Sequence, residues 1–124
     1  MMIFSRFFLF LKLSLFACLI GLTTVSQASE LGVIPYGQLP REAKNTIALI
    51  KQGGPFPYDK DGSVFGNYER QLPKRQRGYY REYTVKTPYA RNRGAKRIIT
   101  GGQSPSYRYY YTDDHYQSFK EVIN

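Results

Sequence analysis

The apolar and polar positions along this chain change rhythm twice, and each rhythm predicts a different kind of segment. Near the start, Leu13-Ser14-Leu15-Phe16-Ala17-Cys18-Leu19-Ile20-Gly21-Leu22 is almost wholly apolar. Between residues 39 and 52 the apolar residues Ala43, Ile47 and Ile50 fall at i, i+4 and i+7, one stripe of a helix. Pro40 suits the first turn of that helix, where a missing N–H is harmless. Gly53-Gly54 ends it, because glycine takes the left-handed cap conformation. From residue 63 onward the texture is that of strands, rich in β-branched and aromatic residues and broken by Gly, Pro and Asn clusters. Strands are predicted over 63–65, 79–87, 95–100 and 107–112, with a last edge strand over 116–122. One helix followed by four or five short strands predicts an α+β fold, an N-terminal helix packed on a twisted antiparallel sheet.

The first segment has a second reading. Arg6 and Lys12 accompany the apolar run, no acidic residue occurs before Glu30, and Ser26-Gln27-Ala28 offers small residues where a signal peptidase reads. These features predict a signal peptide over 1–28 and one domain over 29–124. A membrane anchor is the alternative, but the run is short of the ~20 residues that a bilayer span requires. Phe16, two residues before Cys18, argues against a lipoprotein site. Cys18 is the only cysteine, so the mature domain has no disulfide, and its ends are expected to fray.

Charge narrows the partner. The chain carries 18 Lys+Arg against 9 Asp+Glu and 12 tyrosines, all of the tyrosines after residue 28. A small, basic, tyrosine-rich exported domain points to a polyanion such as RNA, DNA or an anionic surface; positive charge that only confers solubility is the bland alternative. Lys74-Arg75-Gln76-Arg77-Gly78 is read as a solvated basic connection able to touch phosphates. Asp59 and Asp61 invite a calcium reading, but the loop lacks the further oxygen ligands and closing glutamate of such a site, so a structural turn is expected. One histidine and no remaining cysteine exclude a zinc site of the usual kind, and no Gly-x-Ser-x-Gly elbow is present.

The chemistry-bearing residues are few. Strand alternation puts Tyr80, Glu82 and Thr84 on one face, and Ala95, Arg97 and Ile99 on one face of the next strand. Should Glu82 and Arg97 meet, the arginine would favour the ionised carboxylate, which accepts a proton; on composition alone a cross-strand salt bridge without catalytic role is the reading to beat. His115, the only histidine, follows Asp113 and Asp114, which would favour its protonated form. Together with Arg93 these are the groups that metal-free cleavage of a phosphodiester needs: a base, an acid, and cations for the phosphoryl oxygens.

Longer stretches are more specific. Leu39-Pro40, Gly54-Pro55-Phe56-Pro57-Tyr58, Asp61-Gly62, Val64-Phe65, Asn67, Glu69, Leu72-Pro73 and Gly78-Tyr79-Tyr80 follow one another along the chain. Glu82-Tyr83-Thr84-Val85, Thr87-Pro88, Arg93-Gly94, Arg97-Ile98-Ile99 and Tyr110-Tyr111-Thr112 through Asp114-His115-Tyr116 continue the series. In this order they resemble the secreted microbial guanyl-specific ribonucleases of the barnase group, the streptomycete ribonucleases in particular. The resemblance implies the microbial ribonuclease fold and RNA cleavage after guanosine through a 2′,3′-cyclic phosphate, without metal or other cofactor. It implies Glu82 as general base, His115 as general acid, and Arg93 and Arg97 as stabilisers of phosphoryl charge. It further implies that Glu69 accepts from guanine N1 and its 2-amino group and that backbone N–H groups around Asn67 meet guanine O6. Phe65 and Tyr116 then stand as aromatics at the nucleotide site.

Two positions depart from the family's pattern, Gly66 in place of a larger residue and Tyr68 in place of a basic one. The partners implied are RNA and a protein inhibitor of the barstar type. A monomer is expected, secreted to the periplasm or medium and free of the membrane once the leader is removed. A non-catalytic basic-aromatic RNA-binding module is the rival from another class, and the same chemistry used as an antibacterial toxin is a rival within the class.

Overall fold

The computed structural model describes residues 31–124, so the leader expected over 1–28 lies outside the described residues. Helix α1 runs from Arg41 to Gln52. It begins two residues later than the span 39–52 suggested: Leu39, which precedes a proline and is pushed to extended backbone, has ψ 147°, and Pro40 is extended too, at ψ 151°. Pro40 is therefore the N-cap, and its carbonyl accepts from Ala43 N and Lys44 N. Gly53, at φ 81°, closes the other end, and Gly54 N donates to the Leu49 carbonyl at 2.9 Å.

Six strands form one sheet: β1 (Gly32–Pro35), β2 (Ser63–Val64), β3 (Tyr80–Thr84), β4 (Arg97–Gly101), β5 (Arg108–Thr112) and β6 (Lys120–Ile123), in the order β1-β6-β5-β4-β3-β2. The expectation of four or five antiparallel strands is corrected on two counts. β1 is an additional strand, and it pairs parallel with β6, from Gly32 opposite Lys120 to Pro35 opposite Ile123. The sheet is thus mixed, and β6 is an inner strand rather than an edge. The terminal segments expected to fray are instead tied to each other by this ladder. Gly-Val-Ile-Pro is too short for its apolar alternation to be read, and a parallel partner so distant in sequence leaves no local signal.

The register carries the side-chain rows across the sheet. Glu82 lies opposite Ile99, which lies opposite Tyr110; Thr84 lies opposite Arg97, which lies opposite Thr112. Tyr83, Ile98 and Tyr111 form the alternate row, and with Val85 they meet Leu39, Ala43, Ile47 and Ile50 on the helix side. The opposite face has its own small core of Leu72, Tyr80, Ile99, Tyr110 and Phe119, with Phe65 and Tyr116 partly buried against it. Thr46 fastens helix to sheet by donating to the Thr84 carbonyl at 3.1 Å. The loop containing Asp59 and Asp61 is a structural turn: Asp61 accepts from Thr84 N at 2.7 Å and Tyr58 N at 3.2 Å.

Candidate active site

On the face away from α1, Glu82 stands in the middle of β3 with its side chain 15% exposed. Its Oε1 accepts from Arg93 Nη2 at 2.7 Å, and its Oε2 accepts from the Tyr116 hydroxyl at 3.1 Å. Arg93 comes from the connection between β3 and β4, and its Nε donates to Thr84 Oγ1 at 3.0 Å. The guanidinium is thereby spread across two alternate residues of one strand, as the pleat requires. Each carboxylate oxygen retains a second lone pair beyond these bonds.

Arg97 behaves differently from the sequence expectation. It makes no ion pair with Glu82; that pair belongs to Arg93. The side chain is on the same face but folds back over its own loop. Nη1 donates to the carbonyls of Gly94 and Lys96 at 2.9 and 2.8 Å. The residue is 3% exposed, and its Nε is buried without a partner. Its guanidinium carbon lies 5.9 Å from the centre of the Tyr116 ring. A permanently charged group so enclosed, with an N–H unused, adds positive field beside Glu82 and Tyr116. Burial and the Glu82 charge push the Tyr116 hydroxyl above its ordinary value, with Arg97 opposing. Tyr116 is therefore a neutral donor to Glu82 across the physiological range.

His115 and Tyr116 sit in a loop built around one carboxylate. Asp114 accepts from Thr112 Oγ1 at 2.8 Å, Ser118 Oγ at 2.6 Å and Ser118 N at 3.0 Å, and these bonds, Ser118 first, hold its carboxyl below the usual range. Asp114 thus organises the loop; among the described residues neither it nor Asp113 forms an ion pair with His115. The two residues it presents both have positive φ, 54° at His115 and 71° at Tyr116, a costly conformation for non-glycine residues that packing must enforce. His115 N donates to the Ala95 carbonyl at 3.0 Å, and the exposed imidazole lies 4.9 Å from the Tyr116 ring, centre to centre.

Beside Glu82 opens a cleft of about 310 Å³ lined by Phe65, Asn67, Tyr68, Glu69, Gln71 and Tyr116 among others, a volume in the range of small-ligand sites. Asn67, at φ 53°, clamps this loop: Nδ2 donates to the Leu72 carbonyl at 2.9 Å and Oδ1 accepts from Leu72 N at 3.1 Å. Glu69 is exposed at the cleft mouth. Phe65 stacks obliquely on Tyr116 with ring centres 5.1 Å apart. Of the eight residues singled out from the sequence, Phe65, Asn67, Glu69, Glu82 and Tyr116 line this cleft; Arg93 touches Glu82, and Arg97 and His115 lie against the Tyr116 ring.

One participant, Gln71, and two couplings escaped the sequence reading. Gln71 donates to the Tyr116 carbonyl at 2.9 Å, joining the base-side loop to the His115 loop; nothing local marks it. Thr84 was legible as a residue on the face of Glu82, though not as a partner of Arg93. Gly66 and Tyr68 are coupled: a Cβ at Gly66 would fall 2.4 Å from the Tyr68 ring, whose hydroxyl accepts from Arg77 Nη1 at 3.0 Å. The ring is thus laid over a position that only a glycine leaves open.

A family model described as ribonuclease matches residues 23–123. The chain belongs to the ribonuclease family. This ribonuclease is 53% identical over 97 residues to guanyl-specific ribonuclease Sa3 of Kitasatospora aureofaciens, an alignment covering 78% of the chain and 67% of the relative. It is 52% identical over 85 residues to guanyl-specific ribonuclease St of Saccharopolyspora erythraea, covering 68% and 81%. Among solved structures it is similar to ribonuclease Sa2 in complexes with mononucleotides, with TM-score 0.74 and 42% identity over 78% of this chain and 98% of that one. Ribonuclease Sa2 with 3′-GMP superposes with TM-score 0.68 at 44% identity, over 75% and 97%.

Proposed function

We infer that this ribonuclease is an endonuclease that cuts single-stranded RNA on the 3′ side of guanosine. The observation that carries the reading is Glu82, gripped by Arg93 and Tyr116 at the edge of the cleft formed by the Phe65–Glu69 loop, in a chain about half identical to guanyl-specific ribonucleases. Guanine enters that cleft, with Glu69 accepting from N1–H and the 2-amino group and the loop's backbone N–H groups meeting O6. Glu82 takes the proton of the ribose 2′-OH as that oxygen bonds to phosphorus. The P–O5′ bond breaks, and His115 gives its proton to the departing oxygen. Arg93 and Arg97 stabilise the phosphoryl oxygens as negative charge gathers on them.

The product is a 2′,3′-cyclic phosphate. In the second stage His115 takes a proton from water, water opens the ring, and Glu82 returns its proton to the 2′-oxygen, leaving a 3′-phosphate. Both proton transfers are served by side chains, so the proposed chemistry calls for no metal. DNA lacks the 2′-OH and is not cut. The apolar leader supports an exported enzyme.

The test uses short RNAs differing only in the base 5′ to the scissile bond, incubated with EDTA. Cleavage after G with a cyclic phosphate product, lost in Glu82→Gln and His115→Ala, is the expected result. Equal cleavage after all four bases would remove the guanine assignment, and a folded parent that binds RNA without cutting it would leave a binding module.

A further inference from the structure

The basic connection read from the sequence has no part in the chemistry above, yet it is gathered into a site. Arg70, Lys74, Arg75 and Arg77 line a second cleft of about 240 Å³, together with Tyr80 and the outer side of the Phe65–Tyr68 loop. None of the four is paired: the ion pairs among the described residues are Arg41–Glu42, Arg93–Glu82 and Arg108–Glu121. Four uncompensated cations in one concavity repel each other and focus a positive field, which a polyanion relieves. Aromatic planes stand among them. Arg75 lies 5.5 Å from the centre of the Tyr79 ring, and Tyr68, 82% exposed, is held by Arg77 on the wall shared with the first cleft. Cations for the backbone with rings for the bases is the combination that single-stranded nucleic acid uses.

The position gives the direction of the strand. The two clefts share Phe65, Gly66, Asn67 and Tyr68, whereas Glu82 and Tyr116 line only the first. With guanine in the first cleft, the scissile phosphate on its 3′ side lies toward Glu82. The cations lie across the shared loop from Glu82, on the side away from the scissile phosphate. We propose that Arg70, Lys74 and Arg75 form a subsite for the RNA backbone immediately 5′ to the bound guanosine, an assignment that rests on the guanyl-ribonuclease reading.

The test compares kcat/KM for a GpN dinucleotide, the same step with a three-nucleotide 5′ extension, and the same step with a 3′ extension. The parent and an Arg70→Gln/Lys74→Gln/Arg75→Gln variant are measured at two salt concentrations. The 5′ extension is expected to raise the parent's kcat/KM by about tenfold or more, mainly through KM, and the variant to lose that gain. The variant's log–log salt slope should flatten by about 0.7 for each phosphate it no longer neutralises, while dinucleotide cleavage stays equal. A gain confined to the 3′ extension, a variant that keeps the 5′ gain, or a variant equally impaired on the dinucleotide would overturn the subsite. Loss of binding to anionic phospholipid vesicles with the 5′ gain intact would assign the cations to a membrane instead. A parent that does not cut the dinucleotide, or cuts it regardless of base, would overturn the enzyme reading, and the subsite with it.

Discussion

Glu82 has two donors of different kinds, one charged and one neutral, and they separate its chemistry from its placement. Glu82→Gln keeps the volume and both donors nearby, so it should lower kcat by about 10²–10⁴-fold with little change in the melting temperature. Calorimetry beside the rate assay checks both halves. At the base-side loop, Gly66→Ala forces the Tyr68 ring aside and should weaken guanosine binding in the parent but not in a Tyr68→Ala background; a double-mutant cycle of nucleotide affinity reads the coupling. At this scale the sequence was legible wherever strand alternation applied. Glu82, Thr84 and Arg97 were put on the right faces because their strands are regular. What failed was reach. Arg93 sits in an irregular connection whose path no periodicity describes, and Arg97 turned to the carbonyls of its own loop, a choice fixed by backbone geometry rather than by residue type.

The elements carry the site on two kinds of support. Helix α1 was readable from its stripe and glycine stop, and its packing should behave as ordinary core: Ile47→Ala is expected to cost about 2–5 kcal/mol in urea unfolding. The loop from Thr112 to Ser118 is supported by hydrogen bonds to Asp114 instead. Asp114→Ala removes those acceptors and should lower kcat up to about 10²-fold by releasing His115 and Tyr116 from their positive-φ conformations, with His115→Ala activity unchanged by adding it. The sign with pH follows from the depressed carboxyl: its stabilisation is present above the ordinary carboxylate range and disappears as pH falls through the lowered native value. The protection factor of the Ser118 amide, its exchange rate relative to the intrinsic rate at each pH, should therefore fall in acid. The adjacency of Asp114 to His115 was visible in sequence, but not that the carboxylate is taken up by Thr112 and Ser118, because the positive-φ backbone at His115 and Tyr116 follows no periodicity.

For the molecule as a whole, the tyrosines that made the composition distinctive are largely structural. Burial pushes the hydroxyls of Tyr80 and Tyr111 up to about 12, and those of Tyr83, Tyr109 and Tyr110 in the same direction. In the unfolded chain they ionise near 10, so above that pH the native state holds more protons and stability falls as pH rises toward 12. Urea midpoints between about pH 9 and 11 should show this decline, and Tyr111→Phe should make it shallower. The α+β class was legible because helix and strand periods are distinct, whereas the mixed sheet was not, since pairing between segments so far apart in sequence leaves no local pattern. That pairing has a consequence in time. Among the described residues β1 is the first strand to leave the ribosome, and its only neighbour, β6, is the last; the loop carrying His115 lies between β5 and β6. A chain able to cut RNA is thus made within reach of its own messenger, and it cannot complete its sheet until β6, and the His115 loop before it, have been translated.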